Sequence, residues 1–456
     1  MKKMLLAAAA LPLLLAAAPP APDQGAKLRD AALAGDTVAM DIVEGLTTEV
    51  GPRLAGSEAE ARARAWAVQK LKSLGFRNVH IEDTRMSGWL RGAETAEIVA
   101  PYPQKMTVTA LGRSGATPPG GLTAEVVGFD SLAALQAAPA EAVKGKIVFV
   151  SHAMHPAQDG SSYGYYGPVR RSAPAVGAQK GAVAVIIRSL GTDYHRNPHT
   201  GVTSFGDVPP IAAGALSIPD AENLERMLAR GKPVTMHLTL TPRFTGDVPS
   251  GNVIAEVPGT DPSAGVILVG GHLDSWDLGT GAIDDASGVG IVAAAAKQIM
   301  DSGRPRRTIR VIWFGDEETG GSGSKAYRAA HKDEKVVFVA ESDFGADRVW
   351  RFDPGLAPAN AALADRIAAS LFPLGITRGT GTVEAGADLG AWVEAGVAGA
   401  DLSQDGTRYF DYHHTPDDTL DKVDPAQLRQ NVAAWTAMLW QVANAREEIS
   451  GVSPRK

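Results

Sequence analysis

A short apolar run that ends in a cluster of acidic residues constrains this chain more than any other stretch. Residues 265–270 (GVILVG) are apolar without alternation, which is typical of a strand buried on both faces of a parallel sheet. One imidazole and four carboxylates follow this strand: His272, Asp274, Asp277, Asp284 and Asp285. Open α/β sheets bind ligands beyond the carboxyl ends of their strands, and crowded carboxylates repel one another unless a cation neutralises them. The stretch therefore predicts half of a metal site.

The composition excludes several kinds of protein. The chain has 456 residues, of which 45% are hydrophobic and 21% are charged, and a chain of this length corresponds to about three folded units. Its formal net charge is -7 and no basic block is present, so a nucleic-acid partner has no electrostatic support. Because the chain has no cysteine, it forms no disulfides, and any metal site must use His, Asp and Glu.

Residues 1–18 have the features of a secretory signal peptide. Lys2 and Lys3 precede an apolar stretch from Met4 to Ala18, which is too short to cross a bilayer as a mature helix. We expect cleavage near residues 16–18, which leaves the mature protein without a membrane anchor. The predicted location is outside the cytoplasm, most simply in the periplasm.

The strand pattern changes character in the middle of the chain. Between residues 105 and 248, short β-rich runs follow a Pro-Pro-Gly-Gly turn and alternate with helix-like segments at 176–181 and 219–231. This predicts an inserted β-rich domain of about 140 residues. The rest of the chain then forms a discontinuous domain of residues 22–104 and 249–450, where alternating strands and helices predict α/β layers.

Three later strand patterns also end in groups that bind metals. Residues 308–314 precede Glu317 and Glu318, residues 335–340 precede Asp343, and residues 396–402 lead to a loop that contains His413 and His414. Imidazole and carboxylate ligands suit zinc. A single catalytic zinc uses only three protein ligands, so this larger set favours two ions about 3.5–4 Å apart that share one carboxylate. One glutamate of the 317–318 pair then remains free as a general base.

Taken together, these motifs resemble the M28 family of di-zinc metallopeptidases. The resemblance rests on His272-Leu273-Asp274, Asp284-Asp285, Glu317-Glu318, Glu341-Ser342-Asp343 and His414-Thr415-Pro416-Asp417-Asp418-Thr419. It extends over residues 51–445 and is greatest for the plasma glutamate carboxypeptidase (carboxypeptidase Q) branch, which shares the GHLDSWD run at 271–277 and the PHTG segment at 198–201. The resemblance implies a zinc-exopeptidase α/β fold, with a mixed, mostly parallel sheet and helices on both faces. It also implies that the insertion at 105–248 is a protease-associated (PA) domain.

The resemblance further implies two Zn²⁺ ions and a role for each candidate residue. Five ligands are implied: Asp284 shared by both ions, His272 and Asp343 on one ion, and Glu318 and His414 on the other. The bond from Asp284 to Asp285 is expected to be cis. Glu317 is the implied general base, and Asp274 is expected to hold the second ring nitrogen of His272, as outer partners of metal ligands do.

Three residues are weaker candidates for substrate binding: Asp388, His199 and His413. Asp388 suits a substrate ammonium and a helix cap equally well. His199 is by default a core or surface histidine of the insertion, and it reaches the cleft only if the PHTG segment does. His413 precedes His414, which matches the ligand spacing of the family better.

The predicted function is that of a secreted di-zinc exopeptidase acting on small peptides, foremost dipeptides with free termini. Metal-activated water attacks the peptide bond, Glu317 is the base, and the PA domain roofs the cleft. A broader aminopeptidase that removes N-terminal residues is the alternative. A metal-free binding protein of the same fold and a single-zinc aminoacyl cyclase are further alternatives. The resemblance also suggests a homodimer.

Overall fold

The computed structural model describes residues 23–452, so the signal-peptide prediction for residues 1–18 lies outside the described residues. The strands are β1 (Arg77–Leu90), β2 (Glu94–Ala100), β3 (Gln104–Met106), β4 (Val108–Ala110), β5 (Leu122–Phe129), β6 (Ile147–Val150), β7 (Ala184–Arg188), β8 (Ala212–Leu216), β9 (Thr235–Leu240), β10 (Arg243–Val257), β11 (Val266–His272), β12 (Thr308–Phe314), β13 (Val336–Glu341), β14 (Val349–Gly355), β15 (Thr377–Arg378) and β16 (Ala398–Gln404). The helices are α1 (Gln24–Gly35), α2 (Val38–Gly45), α3 (Glu58–Ser73), α4 (Leu132–Ala137), α5 (Ala140–Val143), α6 (Ser161–Tyr166), α7 (Pro168–Gln179), α8 (Ile218–Leu228), α9 (Ser287–Ser302), α10 (Ser322–Ala330), α11 (Ala361–Leu371), α12 (Gly386–Glu394), α13 (Tyr409–Tyr412) and α14 (Pro425–Asn444).

The strands form two mixed sheets. The first has the order β1-β10-β12-β11-β13-β16-β14-β15. Its four central strands, β12, β11, β13 and β16, run parallel, whereas β1, β10 and β14 pair antiparallel at the flanks. The parallel centre brings the carboxyl ends of β11, β12 and β13 to one edge, as the strand patterns predict.

Helices cover both faces of the first sheet, as predicted. Alternate side chains of a strand point to opposite faces. In β11, Ile267 and Val269 pack with residues of α9 and α14, whereas Leu268 packs with residues of α10 and α12 on the other face. Small residues bring α9 close to its neighbours: a Cβ on Gly290 would lie 2.9 Å from the carbonyl oxygen of Ala39 in α2.

The second sheet is built from the segment between β1 and β10, in the order β3-β2-β9-β5-β6-β7-β8-β4. Strands β5 to β8 run parallel, and α7 and α8 pack on them. The unit is therefore mixed α/β rather than simply β-rich. It also begins before the predicted boundary at 105, because β2 pairs with β3 and β9. The chain leaves the first sheet where β1 ends, with Leu90 opposite Arg243 of β10.

Residues 23–452 contain no helix that combines the length and the apolar character needed to cross a membrane.

Candidate metal centre

The carboxyl ends of β11, β12 and β13 converge on the side chain of Asp284. His272 ends β11, and its Nε2 lies 3.0 Å from Asp284 Oδ1 and 3.3 Å from Asp343 Oδ1. On the other side, His414 Nε2 lies 3.1 Å from Asp284 Oδ2 and 2.9 Å from Glu318 Oε2. The structure thus brings the five predicted ligands together, with Asp284 between two histidine–carboxylate pairs. The Asp284–Asp285 peptide bond is cis, as the resemblance implies.

The buried oxygens of this centre suit a divalent cation. Asp284 Oδ2 and Glu318 Oε1 are buried and make no hydrogen bond within residues 23–452. A buried acceptor without a partner costs about 1–3 kcal/mol, and more when it is charged. One ligand atom each from His272, Asp284 and Glu318 lies within 4.8 Å of the others, and the same holds for His272, Asp285 and Asp343. Imidazole and carboxylate donors at this spacing fit zinc.

The charges of the centre also call for a cation. Burial raises the pKa of Glu317 well above its ordinary value, and the Asp343 and Glu318 carboxylates raise it further against the effect of His272. Burial alone would lower the pKa of His272, but Asp343 and Asp284 raise it well above the usual range. The carboxylates therefore stabilise positive charge at the centre. Either bound protons or a metal ion can provide that charge.

Asp274 orients the two glutamates rather than the first histidine. Its carboxylate accepts hydrogen bonds from the backbone N–H groups of Glu317 at 3.1 Å and Glu318 at 3.3 Å. His272 Nδ1 lies 3.0 Å from the backbone carbonyl oxygen of Asp274 but 3.9 Å from its carboxylate. The predicted contact between Asp274 and His272 therefore runs through the main chain, because the side chain points to the turn after β12.

Two buried charged residues hold the loop between β11 and α9. The guanidinium of Arg53 donates to the backbone carbonyls of Leu273, Thr280 and Gly281. The Asp418 carboxylate accepts from the N–H groups of Ala282 and Ile283, each at 2.7 Å. This loop carries Asp284, so Arg53 and Asp418 position the shared ligand through the main chain of the loop.

The other two aspartates of the opening stretch have structural partners. Asp285 accepts from the N–H groups of His272 at 3.1 Å and Gly288 at 2.9 Å, so it fixes the loop on both sides. Asp277 forms a two-oxygen contact with the guanidinium of Arg91 at 2.8 to 3.0 Å. A cation is thus not needed to neutralise Asp277, which takes no part in the metal centre.

A cleft of about 320 Å³ lies over the centre. Asp284, Glu317, Glu318 and Asp343 form its floor, and the region of the second sheet contributes Tyr163, Arg170, Arg171 and Val202. Sequence analysis missed these four residues. They lie in α6, in α7 and in the connection between β7 and β8, and only long-range packing brings them to the cleft.

Of the weaker candidates, His413 reaches the cleft but His199 does not. The His413 ring stacks on His414 with 3.6 Å between ring centres, and its Nε2 lies 3.3 Å from Asp284 Oδ2. His199 is fully buried behind them. Its Nδ1 donates to the His413 carbonyl at 2.8 Å and its Nε2 accepts from Arg170 at 2.8 Å. Because a carbonyl only accepts and a guanidinium only donates, His199 is neutral and has no nitrogen left for a metal or substrate.

Asp388 is also buried and does not line the cleft. It does not cap its helix, because Glu341 accepts from the N–H groups of Asp388 and Leu389 in the first turn of α12, each at 2.9 Å. Burial raises the pKa of Asp388 to about 7. Glu341, at the end of β13, thus has the capping role and lines a cleft next to the centre.

Comparison with known proteins identifies the family. Residues 252–439 match peptidase family M28. Carboxypeptidase Q from Mus musculus is 36% identical over 408 residues, which cover 89% of this chain and 85% of the relative. The structure of a peptidase M28 precursor from Shewanella amazonensis is 44% identical, with a TM-score of 0.92 over 94% of this chain and 98% of that one. A zinc aminopeptidase from Bacillus subtilis shares the fold, with a TM-score of 0.64 at 21% identity over 90% and 97% of the two chains.

An α/β fold with a histidine–carboxylate centre at its strand ends defines a zinc metallopeptidase of the exopeptidase fold. The chain belongs to peptidase family M28 and is similar to carboxypeptidase Q over most of its length.

Proposed function

We propose that this protein is an exported two-zinc exopeptidase that hydrolyses dipeptides with free termini. The observation that carries the proposal is the position of Asp284, whose two oxygens face a histidine on either side. One ion would be held by Asp284, His272 and Asp343, and the other by Asp284, Glu318 and His414. Zinc in such a site acidifies water and polarises the carbonyl of the scissile bond.

Glu317 is the residue we propose as general base. Its backbone is held by Asp274 and its side chain lines the cleft beside the ligands. Burial and the neighbouring carboxylates raise its pKa, which makes the ionised carboxylate a stronger base for the proton of water and lets it hold that proton until it passes to the leaving amine. No covalent intermediate is required.

The inserted region supports small substrates. We propose that it is a PA domain which roofs the cleft, since Tyr163, Arg170 and Arg171 line the same cleft of about 320 Å³ as the metal ligands. That volume is at the lower end of the range for small-molecule sites. A roof that leaves so small a volume over the ligands favours a dipeptide over a long peptide. The names of the relatives include both carboxypeptidase Q and aminopeptidases, so removal of single N-terminal residues from longer peptides is the second candidate.

The test combines metal content with substrate choice. We expect two zinc ions per purified chain, hydrolysis of free dipeptides, and no hydrolysis of N-terminally blocked ones. Glu317→Ala should lower kcat by about 10²- to 10⁴-fold, the usual contribution of general acid–base catalysis, and should retain both ions. Equal cleavage of longer peptides would favour the aminopeptidase. One zinc per chain would favour a cyclase, and no zinc with no turnover would favour a binding protein.

A further inference from the structure

Two neighbouring arginines of the inserted region line the cleft, and only one of them is engaged. Arg170 is buried, and its guanidinium contacts the Tyr163 hydroxyl, His199 Nε2 and the Thr200 carbonyl. The guanidinium of Arg171 also lines the cleft, and it makes no hydrogen bond or ion pair with any residue in the described range 23–452. Arg171 thus presents an unpaired cation to the cleft from the first turn of α7.

The surroundings of Arg171 leave its charge uncompensated. It is partly buried, and both burial and the charge of Arg170 lower its pKa. Such a cation seldom lacks a partner in a folded protein, because a partly desolvated charge is costly unless it is paired. The planar guanidinium matches a carboxylate, which it can bind through two parallel hydrogen bonds.

The cleft next to the first one has acidic lining residues. A neighbouring cleft of about 490 Å³ shares Tyr163, Asp343 and Phe344 with the first one, and Glu341 lines it. Glu341 Oε1 is buried and has no hydrogen-bond partner within residues 23–452. Arg351 lies at the same end, but its Nε is bound to Asp353 at 2.6 Å. An ammonium therefore fits the Glu341 end, and a carboxylate fits the Arg171 end.

We propose that Arg171 binds the carboxylate of the substrate's C-terminal residue and thereby selects peptides with a free C-terminus at the bond next to the metal centre. This assignment rests on the proposed function and adds to it a residue that determines specificity. The peptide bond then lies over Asp284 and Glu317, and the free amine faces the acidic end. In this orientation a dipeptide satisfies both charged ends at once, whereas a peptide that continues beyond the next residue on its C-terminal side leaves Arg171 unpaired.

The experiment compares Leu-Ala with Leu-Ala amide, using wild-type protein and Arg171→Met. Loss of a charge-assisted pair should lower kcat/KM for Leu-Ala by about 10- to 100-fold, mainly through KM. The amide should be a poor substrate for wild-type protein and should be unaffected by the substitution. Arg171→Lys should recover part of the activity on Leu-Ala. Leu-Glu amide distinguishes the source of the carboxylate, because its only carboxylate is in the side chain.

Two controls separate this inference from folding and from the proposed function. Arg226→Met removes one charge from α8 on the same inserted region, where Arg226 is exposed, and should change neither substrate. In a Glu317→Gln background, calorimetry should show that Arg171→Met weakens Leu-Ala binding and not binding of the amide. Equal losses on acid and amide, or no loss on either, would overturn the role of Arg171 alone. If Arg171 were needed for cleavage of Leu-Glu amide and not for cleavage of Leu-Ala, its role would be recognition of a side-chain carboxylate. A wild-type protein that cleaves no dipeptide would overturn the proposed function as well.

Discussion

His272 and His414 lie on either side of Asp284, but different parts of the molecule hold them. The N–H group of His272 donates to Asp285, and its Nδ1 contacts the Asp274 carbonyl, so both partners come from the same loop. The partner of His414 is Thr200, 214 residues away in the chain, and its carbonyl lies 3.3 Å from His414 Nδ1. One half of the centre is therefore built into the first sheet, and the other half depends on the inserted region.

The dependence extends along a whole segment. Residues 192–200 of the inserted region pair with the loop 410–417 that carries His414. The contacts are Thr192 with Phe410 and Asp411, His195 and Asn197 with Asp417, His199 with His413, and Thr200 with His414. We call these two stretches the 192–200/410–417 contact. Any change that loosens this contact should affect the His414 half of the centre and spare the His272 half.

The largest expected effect comes from Asp274, which holds the glutamate turn that follows β12 of the first sheet. In Asp274→Asn, an amide NH₂ replaces one of the oxygens that accept from the N–H groups of Glu317 and Glu318. Two donors then face each other, and the glutamate pair shifts. Loss of such an outer partner costs about 10–100-fold in activity or metal affinity. We expect a loss of that size in kcat, measured by dipeptide hydrolysis at saturating zinc.

Asp277→Asn is the matched control, since it makes the same change three residues along the same loop. Asp277 is bound to Arg91 and not to the glutamate turn, so its substitution should leave kcat close to that of the wild-type protein. Similar losses in both variants would mean that the loop as a whole, rather than the Asp274 carboxylate, sets the rate.

A smaller and one-sided effect is expected from His199→Leu. The substitution removes the hydrogen bonds to the His413 carbonyl and from Arg170, so the loop that carries His414 loses its buried support. We expect one of the two zinc ions to be lost to a chelator about 10-fold more readily, while the other ion stays bound as in the wild-type protein. Zinc retained per chain, measured across a series of chelator concentrations, resolves the two ions.

His195→Leu tests whether the position of the histidine matters. His195 lies in the same segment, but its side chain is 60% exposed where it contacts Asp417, and exposed ion pairs contribute little. This variant should retain both ions. If His199→Leu released both ions equally, the two halves of the centre would not be supported separately.

The parts of the site that follow strands of the first sheet are easier to predict from the sequence than the parts that depend on the inserted region. Each ligand of the first sheet follows a buried apolar strand, and parallel strands end at one edge, so His272, Glu318 and Asp343 were expected to meet. The 192–200/410–417 contact joins segments that are distant in sequence, and long-range packing alone brings Arg171 to the cleft. Neither carries a periodic pattern or a motif that links it to its partner. The second sheet begins before the predicted boundary at 105 for a related reason, since only the pairing of β2 with β3 and β9 shows that β2 belongs to it.

The smallest expected effect is a pH dependence within the same contact. Burial raises the pKa of Asp193 to about 6, with a further contribution from the charge of Asp411, whereas the N–H group of His195 opposes the shift. In the unfolded chain an aspartate titrates near ~3.9. The folded protein therefore holds more protons between about pH 4 and 6, so the free energy of unfolding falls as pH rises through that range and stays lower above it.

Asp193→Asn keeps an acceptor for the N–H group of His195, which lies 2.8 Å away, but cannot ionise. We expect it to raise the free energy of unfolding at pH 8 by roughly 1 kcal/mol, since water screens part of the charge, and to change it little near pH 4. Urea unfolding at both pH values measures the difference. Asp207→Asn, at an exposed aspartate of the same inserted region, should give no such dependence on pH. A gain for Asp193→Asn that is equal at both pH values would mean that packing, and not ionisation, limits the 192–200/410–417 contact. The support of the His414 half would then not depend on pH, although that half would still depend on the inserted region.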